Sequence, residues 1–253
     1  MSFEVAAEAY DRFMGRFSRL LAPQMADLAG VRAGRTVLDV GCGTGMLTAV
    51  LVDRLGAANV TGIDPSESFV SAVRERFPGV RIERGSAEAL PFDEDAFDAS
   101  IAQLVVHFMT DPVRGIREMA RVTRPGGVVA ACVWDHAGGT GPVSLFWKAA
   151  DDVQPGAVAD ESDLPGARAG HLVEIFESAG LRSVEGSRLS ADLEMATFDT
   201  YWEPFNRGVG PAGSYLGKQD AATRSAIEAR ARELAGPEPF VIPAKAWTAR
   251  GIA

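Results

Sequence analysis

Cysteine is nearly missing from this chain. Its 253 residues include two, Cys42 and Cys132, and both fall inside segments that read as strand or strand end. A pair of buried thiols builds no disulfide framework, so stability must come from an apolar core and the chain suits a reducing compartment. Histidine is equally sparse, at three residues, and no Cys/His spacing resembles a zinc site, so no metal is expected. Positive charge is short as well: 25 Lys and Arg stand against 34 Asp and Glu, a formal net charge of −9, with a pI near 4.9. That balance lacks the electrostatic footprint of a nucleic-acid binder or of a protein drawn to anionic membranes. Small molecules are the expected partners. No run approaches the ~18 to 20 apolar residues that span a bilayer, and the opening MSFEVAAEAYD carries neither a basic n-region nor an apolar h-region. The sequence therefore predicts a cytoplasmic protein with no membrane partner. Core-forming material is plentiful, with 47% hydrophobic and 23% charged residues, the profile of one compact unit.

Between Arg35 and Trp134 short β-branched runs alternate with helical patterns, the signature of βαβ units and a parallel sheet. The runs are TVLDVG (36–41), NVTGID (59–64), VRIERG (80–85), FDASIAQLV (97–105) and GVVAACVW (127–134). Leu47, Val50 and Leu51 mark a helix stripe closed by Gly56. Ser66 is the expected N-cap of the next helix, and Asp111-Pro112 supply N-cap and first turn of a third. RPGG (124–127) then turns into the fifth strand. Beyond residue 135 the pattern loosens: a helical piece near Val143 to Ala150, a helix over His171 to Ala179, and a strand within 183–194. The closing segment 240–251 is strand-like, with Pro243 confining the ladder to its second half. Between these two strands lies an insertion, 196–238, that opens on Phe198, Tyr201, Trp202 and Phe205 and ends in an Ala-rich helix.

The chemistry gathers at the end of the first strand. VLDVGCGTG (37–45) puts Gly41, Gly43 and Gly45 in the strand-to-helix turn, where glycine permits positive φ and lets a ligand touch backbone. Nicotinamide and flavin enzymes use such a turn for pyrophosphate. Two details oppose phosphate here. Met46 occupies the position where the dinucleotide fingerprint wants Gly or Ala, and Asp39 places a carboxylate at the mouth of the turn, where it repels a phosphate and attracts an ammonium or sulfonium. Asp64, 19 residues beyond Gly45 at the end of the second strand, is set to accept from ribose hydroxyls. GSAEALPF (85–92) and AQLVVHF (102–108) border the same end of the sheet.

Taken together, VLDVGCGTG, GIDPS (62–66), GSAEALPF, FDASIAQLVVHF and RVTRPGG resemble the class I S-adenosylmethionine-dependent methyltransferases, in the group related to the ubiquinone and menaquinone biosynthesis C-methyltransferases. The resemblance covers roughly residues 10–135. It implies an α/β, Rossmann-like, doubly wound seven-stranded sheet of order 3-2-1-4-5-7-6 with the last strand antiparallel. It implies a single domain over 1–253, made of a helical N-terminal cap (1–30), a cofactor-binding core (31–135) and the 196–238 insertion over the acceptor site. The cofactor would be S-adenosylmethionine, with S-adenosylhomocysteine as product. Contacts would fall at Asp39, Gly41, Gly43 and Gly45, with Asp64 on the ribose, Ser66, Ala87 and Glu88 on the adenine, and Gln103 by the methionine end. Ser86 stands where many relatives have Asp, which leaves the adenine amino group to Glu88 or to backbone. In the stretch 9–23, Tyr10 and Arg16 would reach the methionine carboxylate, Arg16 by a charge-assisted bond.

The implied activity is methyl transfer to a small, apolar or aromatic acceptor (EC 2.1.1.-). Trp134, Tyr201, Trp202 and Phe205 are the expected acceptor-binding residues. His107, just past Gln103, is the expected catalytic residue, because an imidazole titrating near pH 6.5 suits activation of a phenol, enol or quinol; His136 is the second candidate. Two other functions fit parts of the pattern: a non-catalytic S-adenosylmethionine-binding protein of the same fold, and an NAD(P)-dependent reductase, the latter opposed by Met46 and by the lack of a Tyr-x-x-x-Lys pair.

Overall fold

Short buried strands and the helices between them build one central sheet. The computed structural model describes residues 3–156 and 160–253, with side chains from residue 13 onward. The chain opens with α1 (Phe3–Leu28), whose Phe13, Phe17, Leu21 and Met25 recur every four residues and are all buried. Then come β1 (Val37–Val40), α2 (Met46–Leu55), β2 (Val60–Asp64), α3 (Glu67–Arg76), β3 (Arg81–Arg84) and β4 (Phe97–Gln103). The second half continues with α4 (Pro112–Val122), β5 (Thr123–Trp134), α5 (Ser144–Val153), α6 (His171–Ser178), β6 (Arg182–Ser190) and β7 (Leu193–Met195). It closes with α7 (Phe198–Asn206), α8 (Gly210–Gly217), α9 (Ala221–Ala235), β8 (Phe240–Ile242) and β9 (Lys245–Ile252).

Seven strands form one sheet in the order β3-β2-β1-β4-β5-β9-β6. The first five are parallel, and β9 runs antiparallel to both neighbours. This is the Rossmann-like order expected from the sequence. Alternate strand residues face opposite sides: Val37, Ala99, Ile101 and Ala130 enter the cluster that holds α1, α2 and α7, while Leu38, Val40, Ala102 and Ala131 enter the one that holds α4 and α6. With both faces covered, β1 is buried along its whole length.

Local differences from the sequence reading have physical causes. Asp111 does cap α4, accepting from the Arg114 amide at 3.0 Å. Ser66 sits at the start of α3 without capping it, its hydroxyl lying 2.9 Å from that of Ser68. β5 begins at Thr123, four residues before the expected start, because Thr123 pairs with Phe97 before an irregularity shifts the register. Pro243 splits the last segment: β9 joins the main sheet, while β8 pairs with β7 in a separate two-stranded ribbon. That ribbon frames the insertion, which folds as α7, α8 and α9.

Candidate active site

The C-terminal ends of β1, β2 and β4 open into a cleft of about 300 Å³. Its floor is the glycine turn. Gly41, Gly43 and Gly45 have φ of 69°, 52° and 84°, values that side-chain-bearing residues rarely adopt. A Cβ on Gly41 would collide with Val105, and one on Gly45 would approach Phe77 to 2.8 Å, while Gly43 faces open space. The turn is held by the amides of Gly41 and Cys42, which both donate to the Ile63 carbonyl.

Two carboxylates border this floor. Asp64 accepts from the Gly43 amide at 3.0 Å through Oδ2 and from the Ser66 amide at 2.9 Å through Oδ1. A carboxylate has about four acceptor positions, so each oxygen retains one for a ligand. Burial raises its pKa in spite of these two bonds. Asp39 is deeper, and its Oδ2 accepts from the Thr48 hydroxyl at 2.6 Å. Burial, reinforced by the neighbouring charge of Asp64 and opposed by Thr48, pushes the Asp39 carboxyl up to about 7. Gln103, at the end of β4, donates to the Ser18 carbonyl of α1 at 3.0 Å and leaves its buried Oε1 without a partner among the described residues. Gly15 and Ser18 bring α1 over the cleft, and no Lys, Arg or His is among the described residues that line it.

The structure thus gathers Asp39, Gly41, Gly43, Asp64, Ser66 and Gln103 around one cleft. Gly45 lies under it as the first residue before α2. Ala87 and Glu88 are not in its lining; Glu88 instead accepts from the Asp111 amide at 2.6 Å and from the Ser86 hydroxyl at 3.2 Å, which ties the loop after β3 to the start of α4. Arg16 faces a different cavity, beside Asp199 and Glu203 of α7. The expected role of Tyr10 lies outside the described side chains. Sequence reasoning missed Met46, Phe69, Leu104, Val105 and Phe108, which supply the apolar walls. Met46 at the start of α2 and Phe69 in α3 are both half-buried and face the cleft. Leu104 holds a φ of 62° at the end of β4, a strained backbone that a bulky residue adopts rarely.

His107 is not in this cleft. It is buried in a smaller neighbouring cavity with Trp134, His136 and Phe205, and Phe108 lines both spaces. Burial pushes the His107 imidazole down to about 3, and the nearby His136 acts in the same direction. It is therefore neutral near pH 7 and too weak a base for the role its ordinary pKa suggested. Of the expected acceptor residues, Trp134 and Phe205 line this cavity. Tyr201 and Trp202 do not: the Tyr201 hydroxyl accepts from the Phe146 amide at 3.2 Å, and Trp202 stacks between Phe146 and Phe198, each with centroids 5.5 Å away. Both are core residues, because α7 turns its aromatic face inward against α1 and α5.

Residues 38–131, the span that carries the glycine turn, both acids and Gln103, match the methyltransferase domain family. That segment is a methyltransferase domain. Among curated relatives, the domain is 38% identical over 135 residues to an uncharacterized methyltransferase of Mycobacterium tuberculosis, covering 53% of this chain and 52% of that one. The chain thus spans about half the length of the mycobacterial relatives it matches. A demethylmenaquinone methyltransferase of Clavibacter sepedonicus is 28% identical over 245 residues, covering 87% of this chain and 94% of the relative. Two solved structures share the fold. A chain of the complex between the Haloferax volcanii Trm112 methyltransferase activator and a methyltransferase aligns with a TM-score of 0.61 at 23% identity over 100% of this chain and 97% of that one. The YcgJ protein from Bacillus subtilis gives 0.58 at 18% identity over 91% and 97%. This family implies S-adenosylmethionine, and the cleft fits it: two acids and an open amide oxygen face a ligand that carries two cations and no phosphate.

Proposed function

We propose that the chain is an S-adenosylmethionine-dependent methyltransferase acting on a small, largely apolar acceptor. One observation carries the reading: a glycine-floored cleft with two carboxylates and no cation in its described lining, an environment that repels dinucleotide phosphates and favours an ammonium and a sulfonium. In this reading the Asp64 oxygens accept from the ribose hydroxyls, the turn from Gly41 to Gly45 presents backbone to the amino-acid part, and Gln103 Oε1 together with Asp39 accepts from its ammonium. Ser66, Ala87 and Glu88 remain the adenine-side candidates, Ser66 in the lining and the other two outside it. Tyr10 and Arg16 remain candidates for the carboxylate, Arg16 on condition that α1 shifts on binding, since it faces α7 in this structure. The bound cofactor supplies a methyl group made electrophilic by the sulfonium. The protein's part is to align the acceptor in line with it and to exclude water, which the apolar walls at Met46, Phe69 and Phe108 support. The organisation into an N-terminal cap, a cofactor core and a 196–238 insertion belongs to the same proposal, as does action in the cytoplasm, which the two free buried thiols suit.

An acceptor with a ring or an acyl chain is supported by relatives named for 2-methyl-6-phytyl-1,4-hydroquinone and for malonyl-[acyl-carrier protein]. Calorimetric titration tests the cofactor. S-adenosylmethionine and S-adenosylhomocysteine should bind, and NADH should bind weakly or not at all. Asp64→Asn, which removes the charge behind bonds worth about 1.5 to 3 kcal/mol each, should weaken binding by about tenfold or more. Tight NADH binding with no heat from S-adenosylmethionine would overturn the reading.

A further inference from the structure

Among the described residues four buried polar atoms outside the cofactor cleft lack a hydrogen-bond partner; one, Nε1 of Trp202, lies in the aromatic core, and the other three belong to one place. The cavity beyond Phe108, about 40 Å³, is walled by Phe13 and Met14 of α1, by Phe205 of α7 and by Ala212 of α8. The polar side chains His107, Trp134, His136 and Glu161 also line it, and the Glu161 carboxylate is already engaged by Trp147 Nε1. The other three each carry a buried atom with no hydrogen-bond partner among the described residues: Nδ1 of His107, Nε1 of Trp134 and Nε2 of His136. A buried polar atom without a partner is destabilising. Three around one small cavity are therefore unlike a packed core and like a recognition site awaiting its ligand.

The three atoms define what that ligand must be. Trp134 Nε1 can only donate. The two imidazoles, whose ring centroids are 6.1 Å apart, are both held below their ordinary pKa by burial and so offer a lone pair as well as an N–H. His136 has Glu161 behind it, its Nδ1 4.0 Å from Glu161 Oε2, with Asp160 and Asp135 also acting on it. Glu161 Oε2 in turn accepts from Trp147 Nε1 at 3.0 Å. A carboxylate or phosphate would meet neutral imidazoles and the Glu161 carboxylate of the same lining; an ammonium could face Glu161 but would have no lone pair to offer the Trp134 donor. A neutral hydroxyl satisfies both kinds of partner, accepting from Trp134 and donating to an imidazole.

We propose that this cavity holds the hydroxyl head group of the methyl acceptor, a phenol or enol, whose ring or chain passes Phe108 toward the cofactor cleft. This deepens the methyltransferase reading and rests on it. Phe108 is the passage because it lines both cavities and is 65% exposed, free to turn aside. The insertion roofs the head-group site through Phe205 and Ala212, so its role toward the acceptor is to shape and close this chamber rather than to present Tyr201 or Trp202.

The test uses the full chain saturated with S-adenosylhomocysteine and two probes of matched shape, 4-methylphenol and toluene. Calorimetry gives the affinities, and the ¹⁵N-labelled indole resonance of Trp134, assigned by its loss in Trp134→Phe, reports contact. The expected result is binding of 4-methylphenol at least tenfold tighter than toluene, with a shift of the Trp134 resonance. Trp134→Phe and His107→Phe should each abolish the preference while leaving affinity for S-adenosylhomocysteine within about twofold. Should Trp134→Phe fail to fold, His107→Phe decides alone. Equal affinities, no phenol binding, or a preference that survives the substitutions would mean that the cavity holds an ordered water only, and the proposal falls. If S-adenosylhomocysteine does not bind but the phenol preference is present and depends on Trp134, the cofactor reading falls and the hydroxyl site stands. If neither ligand binds, both fall.

Discussion

Asp39 carries opposing demands from folding and binding. Its carboxyl is buried and raised to about 7, well above its unfolded value of about 3.9. Between roughly pH 4 and 7 the folded protein therefore holds a proton that the unfolded chain has released. The stability this group contributes is complete below about pH 4 and is lost as pH climbs toward 7. Cofactor binding pulls the other way, because a cation in the cleft needs Asp39 ionised. Affinity for S-adenosylmethionine should fall as pH drops from about 8 to about 6, approaching a tenfold loss per pH unit below the apparent pKa, with proton release on binding in that range. Asp39→Asn keeps an acceptor for Thr48 and removes the titration, so its affinity should be lower and nearly flat with pH. Calorimetry in buffers of different ionisation enthalpy measures both. A wild-type profile as flat as that of the mutant would show that Asp39 does not face the cofactor's charge. His107 differs: pushed down to about 3, it should contribute no limb between pH 5 and 8.

At the scale of elements, α7 decides how the insertion is understood. Phe198, Tyr201, Trp202 and Phe205 recur at helical spacing on one face, and all are buried against α1 and α5. Trp202 is 2% exposed. Trp202→Ala should therefore destabilise the protein by about 3 to 5 kcal/mol, as removal of a large aromatic from a packed core does, measured by urea unfolding with and without S-adenosylhomocysteine. A loss below about 1 kcal/mol, together with loss of methyl transfer, would return Trp202 to an acceptor role. α1 both packs on the core and borders the cleft. Its every-fourth-residue ladder packs on the sheet, while Gly15 and Ser18 border the cleft and Gln103 grips the Ser18 carbonyl.

Across the whole molecule, what could be read from sequence follows the range of the interactions. The strand runs, the glycine turn and Asp64 were legible because a parallel strand buried on both faces is a continuous apolar run and a tight βα turn needs glycine within a few residues. The sheet order came through the resemblance those local motifs carry. The rest depends on contacts distant in sequence. Nothing local marks Tyr201 as a donor-acceptor partner of the Phe146 amide, or sets His107 beside His136, 29 positions away, in one cavity. Nor does anything local set Arg16 beside Asp199 and Glu203 of α7, the acids it meets in this structure. Glu88 looked free for adenine because its partner, the Asp111 amide, belongs to another helix. No helix among the described residues is long and apolar enough to cross a membrane.

The central claim is that the cleft between β1, β2 and β4 is the S-adenosylmethionine site. A crystal structure of the complex with S-adenosylhomocysteine tests it most directly. The ribose hydroxyls should lie on Asp64, the amino-acid part over the turn from Gly41 to Gly45, and its ammonium within hydrogen-bond reach of Gln103 Oε1. Density for the ligand elsewhere, or in this cleft with its ribose turned away from Asp64, would contradict it.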